Sequence, residues 1–157
     1  MVVTASYWGF TLTDGALRML VLLYFHTLGY SPLQLAFLFL LYELMGIITN
    51  LVGGWVGARF GLKITLFLGL VLQITALMGL SALDNNWSEV ISISYVLVVQ
   101  GLSGIAKDLC KMSSKSAVKL IVSKHNHSML FKLVSVLTGS KNALKGVGFF
   151  LGGLLLA

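Results

Sequence analysis

The chain has 157 residues, of which 57% are hydrophobic and only 10% charged, where a soluble domain carries about 25% charged residues. Mean hydropathy is +0.94, which leaves too little polar surface for a water-soluble fold and excludes a cytosolic enzyme, a secreted disulfide scaffold and a disordered tail. The net charge of +6 reads as cytoplasmic anchoring of a membrane protein, since no soluble domain exists to carry nucleic acid.

A helix crosses a bilayer in about 20 apolar residues, and five such stretches predict an all-α, multi-spanning fold. The first covers residues 7–28. No Lys or Arg precedes Arg18 and no cleavage site stands out, so it reads as a span rather than a signal peptide. Asp14 and Arg18 lie four residues apart within it, on one face and able to pair. Thr11 shares that stripe, and His26 lies two turns beyond Arg18. Gly29, Tyr30, Ser31 and Pro32 then make a turn.

The second span, residues 33–57, contains LQLAFLFLLY, which lacks the alternation of an outer-membrane strand. It holds Glu43 and Asn50 among Gly46, Gly53, Gly54 and Gly57, and small residues four apart let helices approach closely. The third span, residues 64–83, has Gln73 as its strong polar group and ends at a turn of Asp84, Asn85, Asn86 and Trp87. The fourth, residues 90–116, leads into Lys107, Lys111, Lys115 and Lys119, a slowly drifting basic stripe. The fifth, residues 129–157, carries Lys141 and Lys145 well inside it. A fifth span starting only near Gly146 would have about 12 apolar residues, too few to cross.

The turns at 29–32 and 84–87 contain no Lys or Arg, whereas Arg59 and Lys63 follow the second span and eight lysines lie from Lys107 to Lys145. Cytoplasmic loops concentrate Lys and Arg. The bias predicts a plasma (inner) membrane protein with its N-terminus and its second and fourth connections in the cytoplasm.

Ionisable residues inside spans are costly and mark substrate or ion paths; the other reading of Asp14 and Arg18 is a buried pair that fixes helix packing. Arg18, Lys107, Lys111, Lys141 and Lys145 are predicted to hold a compact polyanion, because converging cations suit phosphate-like oxygens. Asp14 and Glu43 are predicted proton carriers, since burial disfavours an ionised carboxylate. The one cysteine, Cys110, offers neither an intramolecular disulfide nor a thiolate set for soft metals, and is expected to be a packing residue. His125 and His127 read as part of a polar turn. No Walker-type loop, nucleophile elbow or helix-borne His-Glu zinc motif is present, so neither metal nor cofactor is expected.

The connection GWVGARFGLK resembles the loop signature of the major facilitator superfamily: Gly54, Arg59, Gly61 and Lys63 match it, and Ala58 stands where an acid is usual. Gln100 and Gly101 are similar to the family's Arg-x-x-Gln-Gly pattern, with Leu97 in place of the arginine. Gly139, Gly148 and Gly152 fit the family's antiporter spacing, with Gly153 for its proline. More narrowly, YWGFTLTDGALRML, TNLVGGWVGARFGL, LSGIAKDLCKMSSKS and LTGSKNALKGVGFFLGG resemble the organoarsenical efflux transporters of the ArsJ family.

That resemblance implies export of 1-arseno-3-phosphoglycerate, an ester made from arsenate by glyceraldehyde-3-phosphate dehydrogenase, and hence arsenate resistance. It also implies twelve helices in two halves, so residues 1–157 are expected to be the N-terminal portion of a transporter whose remaining helices are its partner. The nearest alternative is a family exporter of another phosphorylated or organic anion. Two further classes stay open: an enzyme acting on lipid phosphates, for which no nucleophile or metal set is visible, and a truncated membrane protein binding partners or anionic lipid through its lysine stripe.

Overall fold

Five apolar stretches give six helices, because the second is broken. The computed structural model describes residues 2–84, 86–121 and 127–156. Its helices are α1 (Val2–Thr27), α2 (Pro32–Leu38), α3 (Leu40–Phe60), α4 (Leu62–Ser81), α5 (Glu89–Ile121) and α6 (His127–Leu156). No strand occurs among the described residues. The all-α expectation holds. Pro32–Phe60, Leu62–Ser81 and Glu89–Leu120 are long and apolar enough to cross a membrane. Helices α1 and α6, of 26 and 30 residues, also exceed the length of a span, but polar residues dilute their apolar character.

The helix ends follow local chemistry. Ser31 caps α2 in a reciprocal box, its amide donating to Gln34 Oε1 at 2.8 Å while Ser31 Oγ accepts from the Gln34 amide at 3.4 Å; Pro32 fills the first helical position, where no amide is needed. The expected gap between residues 57 and 64 shrinks to Gly61 alone. With φ of 83°, glycine reverses the chain in one residue, which lets α3 run on to Phe60 and α4 begin at Leu62. Within the α4–α5 connection, Asp84 Oδ1 accepts from the Asn86 amide at 2.9 Å. Asn85 and His125 lie outside the described residues, as does the side chain of His127.

The break at Phe39 had no sequence signal. Neither Pro nor Gly occurs from residue 33 to 45, yet the Phe39 amide bonds to the Ala36 carbonyl at 3.2 Å in a tightened turn. The Arg18 guanidinium lies 5.4 Å from the Phe39 ring centre and 4.5 Å from that of Tyr42, bracketing the break from α1.

Close approach of helix backbones organises the bundle. Helix α6 lies along α1, where a Cβ on Gly148 would strike the Leu12 carbonyl and one on Gly152 the Ala16 carbonyl. Helix α5 lies between α3 and α4: Gly104 meets the Tyr42 carbonyl, and a Cβ on Gly69 would stand 2.7 Å from Cys110 Sγ. Cys110 is buried, as its packing role requires. Two apolar clusters result. One joins Leu17, Val21, Phe25, Leu35, Leu38 and Val96; the other joins Tyr7, Phe10, Leu66, Ala106, Cys110 and Leu137. Between them, from Thr11 to Asp14 on α1, the interior turns polar. Large apolar side chains such as Leu33, Ile47, Leu51, Phe67 and Met78 face outward instead, as lipid-facing surface does.

Candidate functional site

The polar layer encloses a cavity of about 170 Å³ lined by Tyr7, Phe10, Thr11, Asp14, Arg18, Glu43, Lys107, Lys111, Lys141 and Lys145. Asp14 and Lys141 lie near the middle of α1 and α6, and Glu43 near the middle of the Pro32–Phe60 span, so the cavity sits at mid-bundle with an apolar cluster on either side.

Asp14 and Arg18 do not pair with each other within 4 Å. Asp14, 4% exposed, accepts from the Tyr42 hydroxyl at 2.6 Å. Arg18 reaches across to Glu43, Nη2 to Oε1 at 2.9 Å, and Lys107 Nζ meets the other Glu43 oxygen at 3.1 Å. Glu43 thereby ties α1, α3 and α5 together. The i, i+4 expectation failed because it considers one helix only: Tyr42 satisfies Asp14 from a neighbouring helix, and the ring of Tyr42 carries Arg18 toward Glu43.

Asp108 escaped the sequence reading. It is 1% exposed, lies 3.1 Å from Lys111 Nζ and 3.9 Å from Lys107 Nζ, and occupies space left by Gly46, where a Cβ would stand 2.5 Å from Asp108 Oδ2. Its signal was the string AKDLCK, in which an acid sits three residues before a lysine on the same helix face. Tyr42 was likewise hidden: it is fully buried, but an aromatic in an apolar run carries no sequence mark of facing a buried acid.

Five cations thus meet three carboxylates, and the compensation is uneven. Arg18, Lys107 and Lys111 have carboxylate partners; among the described residues no carboxylate lies within 4 Å of Lys141 or Lys145. Lys145 Nζ instead lies 5.5 Å from the Phe149 ring centre. An ammonium group held in a partly enclosed, low-dielectric place with no carboxylate in contact is costly, and Asp14 is the acid that shares the cavity with both α6 lysines. The cavity also has an open side. The Glu43 side chain is 55% exposed against 2% for Asp108, so Glu43 faces an entrance while Asp108 is structural.

The basic stripe of α5 divides. Each four-residue step turns the helix by about 40°, which leaves Lys107 and Lys111 in the cavity and carries Lys119 to a groove on another face of α5. His26 is exposed and remote from the site. Thr11 lines the cavity but spends its hydroxyl on the Tyr7 carbonyl at 2.8 Å.

The remaining motif residues are architectural in geometry. Arg59 lies over the Trp55 ring at 5.4 Å, Lys63 is in the first turn of α4, and Gly54 lines the groove beside α5. Gly101 faces Leu41 of α3. Gln100 is fully buried, and neither its amide nitrogen nor its oxygen has a partner. Gly148 and Gly152 pack on α1, whereas Gly139 meets nothing within 4 Å.

Among the described residues no three His, Cys, Asp or Glu side chains are grouped to hold a metal. The donor set is cationic and suited to anionic oxygens, with Arg18 offering a planar fork and the lysines point charges. A family model for the Major Facilitator Superfamily matches residues 3–157. No curated protein and no solved structure is similar enough to match the chain.

Proposed function

Since the chain belongs to the major facilitator superfamily, a family of membrane transporters, we propose that it carries a small, multiply charged anion through the mid-bundle cavity. The observation that carries this reading is the convergence of Arg18, Lys107, Lys111, Lys141 and Lys145 on one space, with no carboxylate in contact with the two α6 lysines among the described residues. The preferred cargo is the phosphorylated organoarsenical 1-arseno-3-phosphoglycerate, exported from the cytoplasm. This assignment is supported by the ArsJ-like strings, by a donor set matched to phosphate and pentavalent arsenate oxygens, and by the burial of Cys110 away from the cavity. Export of this ester would give arsenate resistance and link the protein functionally to glyceraldehyde-3-phosphate dehydrogenase.

The mechanism follows from the ion pairs. Glu43 is a resident anion held by Arg18 and Lys107. An incoming anion competes for those cations, and Glu43 released from them can take a proton. Asp14, held by Tyr42, is the second proton-carrying group. Alternating access requires a second bundle rocking across the open side of the cavity, and the proposal includes such a half. The sign of the loop charges supports a cytoplasmic side for the lysine-rich ends in an inner-membrane protein.

The test is uptake of the arsenoester into everted vesicles bearing the full transporter. Native uptake that is abolished by Arg18→Ala and by Lys141→Ala, and that collapses with a protonophore, is expected. Native rates in both variants would end the anion-site assignment. An exporter of other phosphorylated anions is the second reading, favoured by the generic chemistry of the cations. Equal competition by arsenic-free 3-phosphoglycerate would select it.

A further inference from the structure

Tyr42 has no exposed surface, yet its side chain meets three charged groups from two other helices. Its hydroxyl donates to Asp14 of α1 at 2.6 Å. The Arg18 guanidinium, also of α1, lies 4.5 Å from the ring centre, and Lys107 Nζ of α5 lies 4.2 Å from it. Both distances fall within the roughly 6 Å reach of a cation–π contact. The backbone beneath the ring is fixed against α5, because a Cβ on Gly104 would strike the Tyr42 carbonyl. Ring and cations are therefore held in register by packing that involves neither Glu43 nor an anion.

Arg18 and Lys107 are the two cations that share Glu43. When an incoming anion takes Glu43's place, Lys107 keeps Asp108 at 3.9 Å. Arg18 has no second carboxylate within 4 Å among the described residues. Two like charges freed from a shared carboxylate repel each other. A further carboxylate would hold them, but it would also cancel the charge that the anion needs. An aromatic ring attracts a cation through its negative face and carries no net charge, so it seats the cation without neutralising it. The same device recurs on α6, where Lys145 Nζ lies 5.5 Å from the Phe149 ring centre.

We propose that Tyr42 is a positioning residue that seats Arg18 and Lys107 together, still fully charged, for the anion that displaces Glu43. The proposal rests on the anion-carrying reading of the cavity and does not depend on which anion is carried. Tyr42 acts through the two cations and does not touch the cargo, since none of its surface is open. Its hydroxyl bond to Asp14 fixes the angle of the ring, and the ring face does the seating.

The experiment is equilibrium binding of radiolabelled 3-phosphoglycerate to the purified full transporter, with position 42 carrying phenylalanine and then its mono-, di- and trifluorinated forms. Fluorine withdraws electron density from the ring face with little change of shape, so packing is kept while the attraction for cations falls stepwise. Tyr42→Phe should bind nearly as the native protein does, because the ring remains. The dissociation constant should then rise with each fluorine, by about tenfold across the series, the scale of cation–π contacts in a desolvated place. Tyr42→Leu, which has no ring, should bind at least as weakly as the trifluorinated form. Should Tyr42→Phe fail to fold, the fluorinated tyrosines, which keep the bond to Asp14, supply the same series. Equal affinity throughout would overturn the proposal and leave Tyr42 a packing residue. Affinity that tightens with fluorine would also overturn it, since the ring would then compete with the anion for the cations. Native protein that binds neither 3-phosphoglycerate nor inorganic phosphate would instead overturn the anion-carrying reading, and the seat with it.

Discussion

Glu43 and Asp108 are two acids that share Lys107 in different surroundings, and they should respond differently to neutralisation. Asp108 is sealed between α3 and α5 with Lys107 and Lys111. Removing one partner of a fully buried pair costs about 3–5 kcal/mol; because Lys107 and Lys111 stay partly exposed, at 21% and 35%, Asp108→Asn should cost less than that and lower the melting temperature in detergent by a few degrees. Glu43 is half open to the entrance. Because exposed pairs contribute only about 0–1 kcal/mol, Glu43→Gln should leave the melting temperature nearly unchanged. It should also tighten binding of 3-phosphoglycerate by about tenfold, equivalent to 1.4 kcal/mol, since a competing resident charge is gone. Anion binding that weakens in Glu43→Gln would mean that the carboxylate positions the cations rather than competing for them. Gln100 gives a third contrast at this scale. Its amide is buried without a partner, so the near-isosteric Gln100→Met should be neutral or stabilising; marked destabilisation would reveal a hydrogen bond supplied by bound water.

Helices meet through glycines whose replacement has a calculable sign. Gly104 and Gly152 touch backbone carbonyls of neighbouring helices, which cannot swing aside as a side-chain tip can. Gly104→Ala and Gly152→Ala should each cost about 1–3 kcal/mol through overpacking, with a loss of about 2–4 °C in melting temperature per kcal/mol. Gly139→Ala, into open space, is the control and should not destabilise. The positions of the rods were legible in the sequence, because apolar length and the turns at 29–32 and 84–87 dominate that choice. The tight α3–α4 reversal was not, since nothing short of the Gly61 backbone angle says that one residue suffices. The break at Phe39 left no mark in AFLFLL either. Its surroundings are tertiary: Arg18, a residue of another helix, lies against Phe39 and Tyr42.

At the scale of the molecule, the seven charged residues that the sequence offered as anion holders and proton carriers do line one cavity. They were legible because an ionisable residue inside an apolar span stands out against its background. Which cations are paired was not legible, since pairing is decided between helices, and Asp108 changed that count. The charge asymmetry of the two ends predicts a topology open to direct test. The one cysteine of residues 1–157 is buried, so Asn86→Cys should react with a membrane-impermeant maleimide added to intact cells, and Lys63→Cys only after permeabilisation. The reverse pattern would invert the proposed orientation and turn export into import.

The central claim is that the α6 lysines, which have no carboxylate in contact among the described residues, hold an anion. Equilibrium binding of radiolabelled 3-phosphoglycerate to the purified protein, with and without Lys141→Met and Lys145→Met together, tests it most directly. Saturable binding that weakens at least about tenfold in the double variant, two lost charge-assisted contacts being worth that much or more, is the predicted result. Binding of equal strength in the native protein and the double variant would contradict the account.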